Sequence, residues 1–233
     1  MVLRLRGDGV GAAELAAAAD RLRLPAPSPA VAAWQVLVVG GLDQARLERG
    51  LDRPSVACIE WRDGVGDAAV SMTGLERCDG LYLSLTTATA YQLQPSTVFR
   101  NAAVRRFDLS ASAGDALELA VHEAVANAVL HGNLGLQGMA KNDPGQLDEF
   151  AHAVEERLAV PALAARRVHV WAEPTGRGLA VTVADEGEGY CRSAPRDARA
   201  DRKSGRGLDL IRALSTRAAV THGGRWITMD FAP

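Results

Sequence analysis

Lysine is nearly missing from this chain of 233 residues: only Lys141 and Lys203 stand against two dozen arginines. With alanine abundant, that bias reads as genome base composition rather than function. Cysteine is scarce as well. Cys58, Cys78 and Cys191 are odd in number and far apart, which gives neither a disulfide framework nor a metal pattern. No excess of charge exists in either direction, the net charge being −2 and the pI about 6.2, so the electrostatic case for binding nucleic acid is lost. No run approaches the ~18–20 apolar residues of a membrane span. The opening MVLRLRGDGVGAAEL has no apolar core of signal-peptide length before its charges and glycines. The expectation is a soluble, reduced, cytoplasmic protein without a membrane partner. Hydrophobic residues at 48% and charged residues at 23% match the globular average and exclude wholesale disorder. The length suits one large domain or two small ones.

What is present sorts into two halves. Residues 1–95 alternate strand and helix: Val2–Leu5, an alanine-rich helix Ala12–Leu22, the linker-like PAPSPA, then Gln35–Val39, a helix Gln44–Leu51, and strands Val56–Glu60 and Leu81–Leu85. That order predicts a small, mostly parallel sheet. Thr86–Pro95 is polar and ends in proline, which places the boundary there. The second half, 97–233, opens with a strand-like Val98–Asp108 and a long helix from about Gly114 to His131. Leu147, Phe150, Val154 and Leu158 then make one apolar stripe on a helix over about 146–158. Strands Arg167–Glu173 and Leu179–Ala184 follow, then a helix Leu208–Thr216 and strands Ala218–Thr221 and Trp226–Phe231.

Several familiar signatures are missing. No glycine precedes a lysine, so there is no Walker phosphate loop. His122–Glu123 starts a zinc-protease pattern, but Ala126 stands where the second ligand belongs. No GxSxG elbow occurs. Gly7–Ala12 loosely imitates a dinucleotide fingerprint. It lacks an acidic residue ending a second strand about 20 residues on, so it reads as a glycine-rich strand-to-helix turn.

Three pieces in the second half carry chemistry. In HEAVANAVLHGN (122–133), Glu123 and Asn127 are stacked one turn apart, with His131 a turn beyond. They form a polar stripe on a helix otherwise filled with Leu117, Leu119, Val121, Val125, Val129 and Leu130. A carboxylate beside an amide oxygen there suits a metal-bound phosphate; a single exposed polar edge is the plainer alternative. In DEGEG (185–189), Asp185 ends a strand. An ionised Asp only accepts hydrogen bonds, so it would favour the exocyclic amine of adenine over the oxygen of guanine. Gly187 and Gly189 would let backbone pass close to a base, or simply turn a loop. The third piece, Gly205–Arg206–Gly207–Leu208, opens a helix. Its free N–H groups can receive phosphate, with Lys203 and Arg206 adding charge, or it can be an ordinary loop.

Together, in this order, the pieces resemble the GHKL superfamily of ATP-binding domains, which includes gyrase, a heat-shock chaperone and histidine kinases. HEAVANAVLHGN is similar to its N box, DEGEG to its first glycine box and GRGLDLI to its second. Within the superfamily, NAVLHGN and the short lid most resemble the anti-sigma-factor serine/threonine kinase branch. The resemblance covers about residues 97–233. It implies an α/β fold in which a two-layer, helix-on-mixed-sheet ATP-binding domain follows a small receiver- or flavodoxin-like unit. It also implies ATP and Mg²⁺ as cofactors. Glu123 is then the expected general base and Asn127 the magnesium ligand. Asp185 reads adenine, Gly187 and Gly189 line the base pocket, Gly205 and Gly207 touch phosphates, and Thr228 lies near the base. Leu134–Arg166 is longer than the minimal domain needs; its helix packs on the same chain or docks a partner.

The N-terminal unit lacks the chemistry of a phospho-receiver. No acidic pair ends Gln35–Val39, and residues 1–140 contain no lysine. A docking or sensing role is expected instead. The function implied is a kinase moving the γ-phosphate of Mg-ATP to a hydroxyl of a protein partner, an anti-sigma antagonist or a sigma-factor-like regulator, with a homodimer as a further possibility. Two alternatives stay open: a non-catalytic ATP sensor, and the catalytic piece of a histidine-kinase system. No dimerisation helix with a phosphorylatable His precedes residue 97, which ranks the last one lowest.

Overall fold

The computed structural model of the chain describes residues 3–22, 24, 34–62, 80–136, 144–189 and 206–232. The N-terminal part alternates as predicted: β1 (Leu3–Asp8), α1 (Ala12–Leu22), β2 (Trp34–Gly40), α2 (Gln44–Gly50), β3 (Ser55–Trp61) and β4 (Leu81–Thr86). The stretch from Gly7 is indeed a strand-to-helix turn: Gly9 sits at φ +69 and the Gly11 N–H donates to Glu14 Oε2 at 2.6 Å. These four strands are parallel and lie in chain order.

Next come α3 (Thr87–Gln92), α4 (Pro95–Phe107) and α5 (Ala111–Asn127), which continues as a π-helical turn over Ala128–Asn133. They are followed by α6 (Pro144–Leu158), α7 (Pro161–Ala164), β5 (Arg167–Thr175), β6 (Gly178–Asp185), α8 (Arg206–Leu214), β7 (Arg217–Thr221) and β8 (Trp226–Phe231). β5 joins β4 antiparallel through six register pairs, from Leu81↔Ala172 to Thr86↔Arg167. The result among the described residues is one mixed sheet ordered β1-β2-β3-β4-β5-β6-β8-β7.

One local expectation is corrected. Val98–Asp108, expected as a strand, is instead the body of α4 up to Phe107 with Asp108 as its C-cap. Pro95 occupies its first turn, where a missing N–H costs nothing. Val98, Phe99, Ala102 and Ala103 are buried with helical spacing rather than strand alternation. Arg105 and Arg106 sit in its last turn, where the helix dipole favours cations. The polar stretch 86–95 holds α3 and the start of α4. Thr86 caps α3 by accepting the Thr89 N–H, and Thr86, Thr87 and Thr89 are buried.

One face of the sheet carries the main core. Leu83, Leu85, Val168, Val170, Val181, Val183 and Met229 pack there against Phe99 of α4 and Leu117, Val121 and Val125 of α5. On α5 the buried positions Leu117, Ala120, Val121, Ala124 and Val125 form a single stripe. Ser110 caps its start, accepting the Ala113 N–H. From α6, Phe150, Val154 and Leu158 join this core, while Leu147 is exposed. The opposite face carries a smaller core in which Ala18, Ala19 and Leu22 of α1 cover Leu5, Val36, Val38 and Ile59.

Candidate functional site

The site forms where the end of α5 meets the end of β6 and the start of α8. Glu123 and Asn127 are half-buried and face the first turn of α8. A Cβ placed on Gly207 would lie 2.8 Å from Glu123 Oε2 and 3.5 Å from Asn127 Nδ2. A side chain there would press on the Glu123 carboxylate and push it aside. Among the described residues neither side chain has a hydrogen-bonding partner, so an amide and a carboxylate are left available side by side. His131, the third member of the expected stripe, is exposed and bonds the Leu136 carbonyl through Nδ1 at 2.7 Å.

Asp185 ends β6 on the helix-covered face, since Val181 and Val183 of the same alternation lie in the main core. Among the described residues its carboxylate accepts one hydrogen bond, from the Gly187 N–H to Oδ1 at 2.8 Å. Burial is the main cause that pushes its pKa up from 3.8 to about 6. The Gly187 hydrogen bond and the positive charges of Arg225 and Arg166 act against that shift. An Asp so placed has acceptor capacity to spare and gains from a donor.

The π-helical turn explains how the loop is held. It brings Gly132 against Asp185, where a Cβ would stand 2.5 Å from the carboxyl carbon. The Gly132 carbonyl in turn occupies the space a side chain on Gly187 would need. Asn133, fully buried, then ties three segments together. Its Oδ1 accepts the Glu186 N–H at 2.9 Å, and its Nδ2 donates to Thr87 Oγ1 at 2.8 Å and to the Arg167 carbonyl at 2.9 Å. The Glu186 carboxylate accepts the Arg167 N–H at 2.7 Å, and Arg166 Nη1 donates to the Asn133 carbonyl at 2.6 Å. Sequence reasoning missed Gly132, Asn133, Glu186 and Arg166 as site residues. The signal was the HGN that closes the N-box stretch, whose partners lie on strands distant in sequence.

The expected residues therefore separate. Glu123, Asn127 and Gly207 come together, as do Asp185 and Gly187. Gly189, at φ +80, packs on the Gly223 carbonyl of the β7–β8 turn. Thr228 is corrected: it pairs with Thr182 across β6 and β8, Oγ1 to Oγ1 at 2.9 Å, on the sheet face opposite Asp185. A period of two sends residues 182 and 185 to opposite faces, so Thr228 cannot approach the same base. Lys203 and Gly205 lie outside the described residues, as does the side chain of Arg206.

A helix layer on a mixed antiparallel sheet, with a helical carboxylate–amide pair, a strand-end Asp and a glycine at a helix start, defines a nucleotide-binding module. The model of the histidine kinase-like ATPase domain matches residues 86–231. The chain belongs to that family, within the GHKL superfamily, and is an ATP-binding, kinase-like ATPase. No curated protein matches the chain. No helix among the described residues is long and apolar enough to cross a membrane.

The residues present fit the nucleotide the family implies. Among the described residues the Asp185 carboxylate retains free acceptor positions, the start of α8 at Gly207 lies against Glu123 and Asn127, and both of those side chains are unengaged. No group of three His, Cys, Asp or Glu among the described residues would hold a metal by itself. A magnesium ion taking one protein oxygen and completing its shell with phosphates and water is compatible with that.

Proposed function

We propose that the protein is a serine/threonine protein kinase of the anti-sigma switch type, acting in the cytoplasm on a hydroxyl of a partner protein. The observation supporting this reading is the Glu123 carboxylate, unengaged, one helical turn from Asn127 and against the glycine that opens α8. Bound Mg-ATP supplies the transferable γ-phosphoryl group and the charge that offsets its oxygens. Asn127 provides the amide oxygen for the metal, and Asp185 accepts the adenine amine. Gly187 borders the base, while Gly205, Gly207, Lys203 and Arg206 serve the phosphates. Glu123 takes the proton from the partner's hydroxyl as its oxygen bonds to phosphorus and ADP leaves. Residues 1–95 serve as the docking or sensing part.

The test is turnover of radiolabelled ATP with a serine-bearing partner domain, comparing wild type with Glu123→Gln. General-base help is worth ~10²–10⁴-fold, so transfer should fall by that order with ATP affinity nearly unchanged. A residual rate from positioning is expected. Equal turnover in both proteins removes the kinase mechanism and leaves an ATP sensor.

A further inference from the structure

Arg225 stands at the end of the β7–β8 turn, across from the strand-end Asp185. The Asp185 N–H donates to the Arg225 carbonyl at 3.1 Å, which carries the pairing of β6 with β8 one step beyond Ala184↔Trp226. The Arg225 Cγ would also lie 3.1 Å from a Cβ placed on Gly189. Its side chain thus starts beside both ends of the segment 185–189. The guanidinium is near enough for its charge to act on the Asp185 carboxyl, favouring the ionised form.

The turn holds this arginine in place. His222 takes φ +53, and Gly223 and Gly224 follow at +69 and +99. A left-handed histidine is uncommon. Here its ring stacks on Trp226 with centroids 3.8 Å apart, and its Nδ1 lies 3.0 Å from Thr221 Oγ1. The His222 carbonyl, fixed in this way, accepts Arg225 Nε at 3.2 Å. That engages Nε and leaves both Nη groups without a partner among the described residues. Nor does Arg225 form an ion pair with Asp185, although the two residues are cross-strand neighbours. A carboxylate with spare acceptor positions and a guanidinium with spare donors are therefore held at one strand end, neither satisfying the other.

Adenine offers the complementary atoms. Its exocyclic amine donates, and the ring nitrogens that flank this amine, N1 and N7, accept. Asp185 suits the amine and has nothing to give a ring nitrogen, since an ionised carboxylate only accepts. Resting on the nucleotide reading of Asp185 given above, we propose that Arg225 is a specificity-determining residue of the base site, an Nη group donating to the ring nitrogen beside the amine that Asp185 accepts. One acceptor and one donor from neighbouring strands then read two adjacent atoms of the base. A guanidinium is the stronger choice of donor, because a charge-assisted hydrogen bond exceeds a neutral one.

The test is calorimetry on the full chain, titrated with ATP and with its 1-deaza and 7-deaza analogues, each of which replaces one ring nitrogen by C–H. The wild-type protein should bind one analogue about tenfold more weakly than ATP, the low end for a hydrogen bond to a charged group. Which analogue it is tells N1 from N7. Arg225→Met keeps the stem beside Gly189 and removes the donors, so it should bind ATP and that analogue alike. A merely structural role would weaken all three nucleotides in parallel and leave the preference intact. Arg225 is exposed; should the methionine variant not fold, Arg225→Ala makes the same comparison. Equal affinity of the wild-type protein for all three nucleotides, or a full preference retained without the arginine, overturns the proposal while the ATP reading stands. Absence of ATP binding by the wild-type protein overturns both.

Discussion

Replacing Asp185 by Asn should make the nucleotide-free protein more stable while destroying its hold on ATP. The folded protein keeps the Asp185 proton up to a pH of about 6, against 3.8 for the free side chain. A carboxyl whose pKa is raised by folding contributes stability fully present below 3.8 and lost as pH rises through about 6. At neutral pH the whole cost of burying the charge is carried. Taken at face value that is about 3 kcal/mol; partial solvent access lowers the expectation to about 1–2 kcal/mol. The amide is neutral and still offers an oxygen to the Gly187 N–H, so Asp185→Asn removes the cost and keeps the bond. Urea denaturation at pH 7, without nucleotide, should show the variant more stable by that amount. Near pH 4 the two proteins should converge. The same variant should bind ATP roughly 10- to 150-fold more weakly, the value of a charge-assisted hydrogen bond. Wild-type affinity should decline as pH falls below about 6, where the carboxylate is lost. A variant no more stable at pH 7, or a stability gap unchanged at pH 4, would refute the reasoning.

Other perturbations probe the surrounding parts. Asn127→Ala should remove most of the gain in ATP affinity that magnesium gives, leaving metal-free binding nearly intact; fully additive effects of chelator and mutation in calorimetry would exclude Asn127 as the ligand. Asn133→Ala should cost about 2–4 kcal/mol in denaturant unfolding, because groups on three segments, the Glu186 N–H, the Thr87 hydroxyl and the Arg167 carbonyl, each lose a hydrogen bond at once. Gly132→Ala forces a methyl to within 2.5 Å of the Asp185 carboxyl carbon; nucleotide affinity should drop at least about tenfold if one charge-assisted bond is displaced, measured by the same calorimetry.

Much of this molecule was legible before any coordinates. Periodicity marked the strands from Arg167 onward within a residue or two, and of the residues in the three motif pieces the fold brings Glu123, Asn127 and Gly207 together. Failures occurred where local pattern is ambiguous or partners are remote. Val98–Asp108 has apolar residues that suit either period, and only packing of Phe99 and Ala103 against the sheet selects the helix. Thr228 was placed by its neighbours in sequence, whereas its face is fixed by register with Thr182. Asn133 and Arg167 reach their partners across gaps of 53 and 107 residues, and no window along the chain brings those ends together.

The seam between β4 and β5 has a practical consequence for anyone who cuts the gene. The family match begins at residue 86, one step past most of β4. A fragment starting there would expose the β5 backbone from Arg167 to Ala172 as an open row of hydrogen-bonding groups, with Val168 and Val170 beside it. Bare strands of this length invite pairing with whatever other chain is nearby. β4 therefore acts as a sealing edge for the ATPase half, and shortening the protein to its recognisable part would leave that edge open.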